Sequence, residues 1–471
     1  MRIIFLFIIL TATSFEGGCQ TWTSLGGGFA DQGFGGPVTF YTDPQTGDLL
    51  FGGGFYDAPD GSIISKIARW DGTTILPIGC GFDWDCPSGQ EVAAGIITAI
   101  IRYNGELISS GGVQTACGLP VQRICKLSGD CWEPFGNVST AVKEFKIHND
   151  TLYASQIDTC NGLDCNGLAK WDGQSWTPVF NLPNFSGDND ANNIHSFEWF
   201  NGDLYAGGNW DYQGAGPNYD DMVMWNGSEW TPVGDGFFGS LSWINKLTVF
   251  QDKLIAIGGF QGDQNPGNFI AAWDGENWDD MQGGFENPSQ PSSFYPVWDM
   301  WVTEDYLYVV GAFEYAGGIP TDNIARWDGS EWCGYGTGEA FDGSSWDNAI
   351  KSVIVYNDEL IVGGDFMNQE ENPNLNLIAK YTGPDTCLFD LVPESPSPTF
   401  NIVVDSDFTS ITVTGVTSNV QSQLCIYSTM GSLVATSIGS TTCGIHALSQ
   451  GVYVVEYTND GTSSSKSFVK L

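Results

Sequence analysis

The chain has 471 residues, 42% hydrophobic and 14% aromatic, with 61 glycines and a formal net charge of −40. That much apolar material excludes a disordered chain, and the charge repels phosphate backbones and anionic membrane surfaces, so nucleic-acid binding is set aside. Only 16 Lys and Arg stand against those 61 Gly, a balance that suits an all-β chain with many tight turns better than a helical one.

The amino terminus has the order of a secretory signal peptide: Arg2, an apolar stretch from Ile3 to Leu10, then small and polar residues. That stretch is too short to span a membrane as a helix, and no later segment is apolar enough for a transmembrane one. Cleavage fits after Ser14 or after Cys19, and residues 1–19 are assigned to the signal. The mature chain is then soluble outside the inner membrane, with an acidic, solvated coat. Past Cys19 the cysteines are mostly in close pairs, such as Cys80 with Cys86 and Cys160 with Cys165, so disulfides are expected, with one thiol left over because the number is odd. Zinc would be the rival, but the chain has three histidines and no pair of Cys-x-x-Cys knuckles.

A repeat decides the fold. Trp70-Asp71-Gly72, Trp171-Asp172-Gly173, Trp225-Asn226-Gly227, Trp273-Asp274-Gly275 and Trp327-Asp328-Gly329 recur about every 50 residues, and Leu127-Ser128-Gly129 and Tyr381-Thr382-Gly383 complete a series of seven. Each copy reads as strand, turn, strand, with Asp-Gly or Asn-Gly supplying the positive φ of a tight hairpin. Upstream in the units lies a second hairpin, marked by Asn104-Gly105, Asn149-Asp150, Asn201-Gly202, Gln251-Asp252, Glu304-Asp305 or Asn357-Asp358, whose second strand ends in glycines, as at Gly207-Gly208 and Gly258-Gly259. Two hairpins per unit make a four-stranded propeller blade. Trp22-Thr23-Ser24-Leu25-Gly26 matches the fourth strand at Trp230-Thr231-Pro232-Val233-Gly234, yet precedes any complete unit, and the seventh unit lacks such a strand. The amino-terminal segment is therefore expected to complete the last blade and close a seven-bladed β-propeller over residues 20–388, leaving no open edge.

With the double glycine and the paired Trp, these units resemble kelch-type propellers and the propeller of galactose oxidase. That resemblance implies a fold and carries no function. After a proline-rich linker at 389–399, alternating segments over 400–471 predict a small β-sandwich. This part resembles the type A sorting domain of type IX secretion substrates of the Bacteroidetes, through Ile426-Tyr427-Ser428-Thr429-Met430-Gly431-Ser432-Leu433-Val434, Leu448-Ser449-Gln450-Gly451-Val452-Tyr453-Val454-Val455 and the terminal Lys466-Ser467-Phe468-Val469-Lys470-Leu471. Gly431, Gly451, Tyr453 and Lys470 carry the match. It implies the type IX machinery as partner and a secreted or cell-surface location. Cys425 and Cys443 are expected to staple this sandwich.

The sequence offers little for catalysis. Copper chemistry like that of galactose oxidase needs histidines, and the propeller has His148, expected on an exposed hairpin, and His195. Sialidase-like recognition needs clustered arginines, and Arg69, Arg102, Arg123 and Arg326 are scattered, with Arg69 and Arg326 at one repeat position. The loops after the second strands are long, aromatic and acidic, and Tyr56, Trp84, Trp210, Tyr212 and Tyr315 are the expected ligand-binding residues there; the recurring Phe55, Phe260, Phe313 and Phe366 are assigned to blade packing. Asp188, Asp190 and Asn192 alternate as calcium ligands do, with a solvated turn as the other reading; no other cofactor is expected. The chain reads as a non-catalytic propeller that binds glycan or protein. The alternative is a carbohydrate-active hydrolase using acidic residues on the same face.

Overall fold

The computed structural model describes residues 22–382 apart from 30–34, 59–60, 83–94, 114, 117–118, 122, 185–192, 211–218, 235–241, 262–266, 289–296, 322, 336–348 and 367–376, and then 401–404, 410–414, 423–428, 433–438, 440–449, 451–459 and 462–470. Seven four-stranded antiparallel sheets follow one another along the chain as the blades of a β-propeller. Their inner strands are Pro37–Thr42, Ile97–Tyr103, Phe145–His148, Asn193–Phe200, Ile244–Phe250, Val297–Val302 and Ile350–Tyr356. Each packs on its successor, Phe145–His148 on Asn193–Phe200 through the stacked His148 and Trp199 rings, and the seventh packs on the first. The ring closes as the repeat predicts: Trp22–Ser24 pairs antiparallel with Ile378–Tyr381, in the register Trp22 to Tyr381, and is the fourth strand of blade seven.

Every sheet is covered on both sides, so its strands are apolar on both faces rather than alternating. The core is accordingly a set of clusters, one at each of the seven blade interfaces. Leu25 and Phe29 from the closing segment join the cluster between blades seven and one, whereas Trp22 joins that between six and seven. Phe55, Phe260, Phe313 and Phe366 are all buried, as blade packing requires.

Two glycine signatures have steric causes. A bulge at the start of the inner strand, between Ile244 and Lys246 in blade five, brings the strand against the end of its neighbour, so that a Cβ on Gly258 would collide with the Trp243 carbonyl oxygen. Gly26, at φ +59°, lies where a Cβ would come 2.7 Å from the Trp70 ring of blade one.

The Trp-Asp-Gly turns are the expected tight hairpins, but Gly rather than the Asp-Gly pair supplies the positive φ. Trp171 pairs with Trp176 across a four-residue loop in which Gly173 alone takes a positive φ, of +100°. Asp172 caps the loop, its Oδ1 accepting the amides of Gln174 and Ser175 at 2.9 and 2.7 Å, and the same cap recurs at Asp71, Asn226, Asp274 and Asp328. These amide bonds hold the Asp172 and Asp274 carboxyls below the usual aspartate range. The upstream hairpins do have two left-handed central residues, as at Asn149 (+48°) and Asp150 (+58°), which is the two-residue turn matching strand twist. Blade six departs from this: Val302 pairs with Leu307, so Glu304-Asp305 sits inside a four-residue loop.

Residues 401–470 form a three-stranded sheet (Asn401–Val404, Ser410–Thr414, Thr442–Gly444) and a four-stranded one (Leu433–Ile438, Gln423–Ser428, Gly451–Asn459, Thr462–Lys470) around a shared core of Ile411, Val413, Leu424, Ile426, Tyr453 and Val455. This is the expected sandwich. Its two cysteines do not staple it: Cys425 and Cys443 are buried free thiols, and burial pushes Cys443 upward. In the propeller, Cys160 and Cys165 are disulfide-bonded as their spacing predicts, Cys80, Cys131 and Cys333 are also in disulfides, and Cys125 is a free, buried thiol.

Candidate functional site

The two ends of the ring are built differently. At one end, strands are joined by two-residue hairpins and capped four-residue loops, except for six residues at 43–48 in blade one. At the other end emerge the connections between second and third strands, and several carry structure of their own. Blade one has an Asp57 to Ile63 bridge, blade two a Thr115–Ala116/Leu119–Pro120 hairpin, and blade six a three-stranded annex of Phe285–Glu286, Tyr315–Ala316 and Ile319–Pro320. Blade three instead extends both strands to a tip at Asn161-Gly162, tied by the Cys160–Cys165 disulfide. Inner strands begin at this end, because Ile244 pairs with Gly258 and the connection starts next.

The expected ligand residues separate on this face. Tyr56 is half-buried with the Lys66 ammonium 5.5 Å from its ring centroid. Tyr315 is half-buried in the blade-six annex, where burial and then the charges of Glu314 and Glu286 raise its pKa. Trp210 is 3% exposed and sits in the cluster between blades three and four, its indole N–H donating to the Tyr219 carbonyl at 2.7 Å, so it presents no ring to solvent. Trp84, Tyr212, Asp188, Asp190 and Asn192 lie outside the described residues, as does Gly431. Among the described residues no cluster of three His, Cys, Asp or Glu could hold a metal. Gly451 pairs with Lys470 across adjacent strands, and Tyr453 donates to the Ser449 carbonyl at 3.0 Å.

The histidines and arginines do not converge. His148 is half-buried rather than an open hairpin residue, stacked 4.1 Å from Trp199 with 2° between planes, and it ends its inner strand where His195 lies near the start of the next. Arg69 pairs with Asp48 at 2.7 Å, and Arg326 lies 4.2 Å from the Tyr306 ring centroid. On the tight-turn face, a cleft of about 250 Å³ between blades five and six is lined by Phe250, Met281 and Trp327, with Gln251, Lys253 and Asp279 among its polar groups.

Repeat reasoning missed the most organised polar feature, a belt around the axial channel. Inner strands are sheet edges, and their free backbone groups need partners. Each blade supplies them to its neighbour. Thr98 donates to the Val142 carbonyl (2.6 Å), Glu144 accepts from the Phe197 amide (3.2 Å), Ser196 from that of Leu247 (2.9 Å), and Lys246 donates to the Met300 carbonyl (3.0 Å). Asp299 accepts from the Val353 amide (3.1 Å), Ser352 donates to the Pro37 carbonyl (2.9 Å), and the Tyr41 hydroxyl accepts from the Arg102 amide (3.1 Å), which completes the circle.

Five cations stand in or beside this belt. Arg102 pairs with Asp43, Lys146 with Glu198 at 2.6 Å and Glu144 at 3.3 Å, Lys246 with Asp299, and Lys351 with Asp365. Burial opposes charge on Lys146, but Glu144 and Glu198 outweigh it and its pKa is raised. The fifth, Lys143, reaches from blade three to blade five, where Asn245 Oδ1 accepts from it at 2.5 Å. No signal in the sequence could have found this belt, because its partners lie in different repeats.

No protein-family model matches the chain, and no curated protein matches it. Among solved structures the chain is similar to an extracellular domain from B. thetaiotaomicron, at 12% identity and TM-score 0.44, covering 96% of this chain and 57% of that one. A second extracellular domain from B. thetaiotaomicron is similar at 10% identity and TM-score 0.32 (92% and 69% covered), and a GH74 xyloglucanase from Xanthomonas campestris at 13% and 0.30 (90% and 70% covered). The chain thus spans 57% of the length of the first of these proteins.

Proposed function

We propose that this is a secreted or cell-surface propeller that binds glycan or protein through its loop-rich face, without catalysis. The observation that carries the reading is the asymmetry of the ring. Tight turns suffice to join strands, so the bridge, hairpin, annex and disulfide-tied tip are elaborations the fold does not need, and all stand at one end. Half-exposed Tyr56 and Tyr315, the latter beside Glu314, offer rings for stacking on a sugar and a carboxylate for its hydroxyls. A glycan array probed with the full chain should show saturable binding, weakened roughly 5- to 10-fold by Tyr56→Ala or Tyr315→Ala, about 1–1.4 kcal/mol. Turnover of a bound polysaccharide would replace this reading with the hydrolase one. An array and a protein pull-down that are both blank would remove it.

The export route is part of the same proposal: residues 1–19 as signal peptide, 20–388 as propeller, 389–399 as linker and 400–471 as type IX sorting domain. The matched stretches support it by falling on three adjacent strands of one sheet, Gln423–Ser428, Gly451–Asn459 and Thr462–Lys470. A reporter carrying residues 1–19 and 389–471 should cross the outer membrane of a host with the type IX machinery and stay periplasmic when Lys470 and Leu471 are deleted. Equal export of both forms would refute the assignment.

A further inference from the structure

Blade five breaks the repeat at the interface that holds the tight-turn cleft. The residue before the third strand's tryptophan, or before Leu127 and Tyr381 in the two degenerate units, faces the following blade, as the clusters joined by Ala272 and Met224 show. In the six other blades it is long: Arg69, Lys126, Lys170, Met224, Arg326 and Lys380. Three of these reach a carboxylate just before the leucine of the second strand, Arg69 to Asp48 at 2.7 Å, Lys126 to Glu106 at 2.5 Å and Lys380 to Glu359 at 2.6 Å. Blade five has Ala272 instead, so a long side chain is missing where the cleft opens. The carboxylate position is also inverted, since Lys253 stands there and pairs with Asp279 of the fourth strand at 3.1 Å. A further departure lies in the same wall. Gly26 and Gly234 let the following blade's tryptophans lie against the backbone, because a Cβ would come 2.7 Å from the Trp70 ring and 2.9 Å from that of Trp278. Blade five has Gln282 at this position, at a φ of +64° that side chains other than glycine's rarely adopt. Gln282 Nε2 donates to the Ser330 carbonyl at 2.7 Å and Gln251 Nε2 to the Asp328 carbonyl at 2.9 Å, so two amides tie blade five to the blade-six turn while the space between the walls stays unfilled.

We propose that this slot is a binding site for one neutral sugar ring, on the face opposite the elaborated loops and independent of them. Size sets the number of rings: about 250 Å³ falls below the roughly 300–1,000 Å³ of sites for drug-sized ligands, so one ring fits and a chain does not. Charge sets the class. Lys253 repels a cation such as those that fill the other interfaces, whereas Asp279 and the net charge of −40 repel an anion. The lining suits a ring with one apolar face and hydroxyls around its edge. Phe250, Met281 and Trp327 offer apolar surface to the C–H groups, and the Lys253–Asp279 pair sets a donor beside an acceptor at a separation close to that of two neighbouring hydroxyls. One hydroxyl then accepts from the ammonium and the next donates to the carboxylate, both as charge-assisted hydrogen bonds. Asp279 is already fixed for this, because its Oδ1 accepts the Met281 amide at 2.8 Å.

The test is titration of the full chain with the methyl glycosides of glucose, galactose, mannose and N-acetylglucosamine, followed by saturation-transfer NMR and tryptophan fluorescence. At least one should bind saturably, with a Kd on the order of 1 mM, as suits a single ring. Ala272→Met gives blade five the side chain that blade four carries as Met224, and should abolish this binding without lowering the unfolding midpoint. Lys253→Met, at an exposed residue outside the packed core, should weaken it about tenfold by removing one charged hydrogen-bond donor. Tyr56→Ala should leave it unchanged, which separates this site from the loop-rich face. Binding that survives both Ala272→Met and Lys253→Met, or that is lost in Tyr56→Ala alone, would overturn the proposal, as would the absence of saturable binding by all four glycosides up to roughly twenty times that concentration.

Discussion

Replacing Trp22 with alanine should destabilise the ring by about 3–5 kcal/mol, the range for deleting a buried aromatic side chain. Trp22 is 3% exposed, packs 5.2 Å from Tyr381 between ring centroids, and fills the cluster between blades six and seven. The same short strand holds the last blade shut through its pairing with Ile378–Tyr381. Loss of the Trp22 contact therefore loosens a sheet edge as well as a core, and an uncovered edge pairs with other chains. Urea unfolding followed by tryptophan fluorescence should show a lower midpoint, and light scattering should show association before the main transition. A control at the exposed Thr23, such as Thr23→Ser, should leave both unchanged. Wild-type stability in Trp22→Ala would mean that the closing strand does not hold the ring.

The second large effect is at Asp43, 1% exposed in the six-residue turn of blade one. Its carboxylate receives Arg102 of blade two in a fork, Nε on Oδ1 at 2.6 Å and Nη2 on Oδ2 at 2.5 Å, and also the Gln45 amide at 3.0 Å. Asp43→Ala leaves a mostly buried guanidinium without its counter-charge, and should cost about 3–5 kcal/mol. The pH dependence has a definite sign. Burial alone would raise the Asp43 pKa, but the Arg102 and Gln45 hydrogen bonds outweigh it and the folded-state value is lowered. Its contribution is then complete above the unfolded value of about 4 and is lost as pH falls through the lower folded value. The stability gap between wild type and Asp43→Asn should be constant from about pH 5 to 7 and close below about pH 4. A gap that widens on acidification would contradict the ion pair.

The legible parts of the sequence were those set by short-range rules. Left-handed turns select Asn, Asp and Gly, so Asn149-Asp150 and its counterparts marked the hairpins. The orphan Trp22-Thr23-Ser24 could be assigned to the last blade because a ring missing one strand has one place to put it. The Asp-Gly pairs mark where the turns fall but not their internal geometry, since Asp172 works through its side-chain oxygen and only Gly173 takes the left-handed conformation. Trp210 is illegible for the same kind of reason: an aromatic residue after a strand looks alike in sequence whether its indole donates to a carbonyl inside the blade interface, as here, or faces solvent.

The sequence by itself determined the all-β class, seven repeated units, the circular closure and a separate sandwich, because each is written in turn chemistry, glycine sterics and strand periodicity within a few tens of residues. Only the tertiary structure decided which residues meet at the axis. Thr98 with Val142, Ser352 with Pro37 and Lys143 with Asn245 come from different blades and have no fixed spacing along the chain. Their association follows from closing the ring, which turns seven unpaired inner edges toward one channel and makes every free amide and carbonyl there seek a side chain from the neighbouring blade.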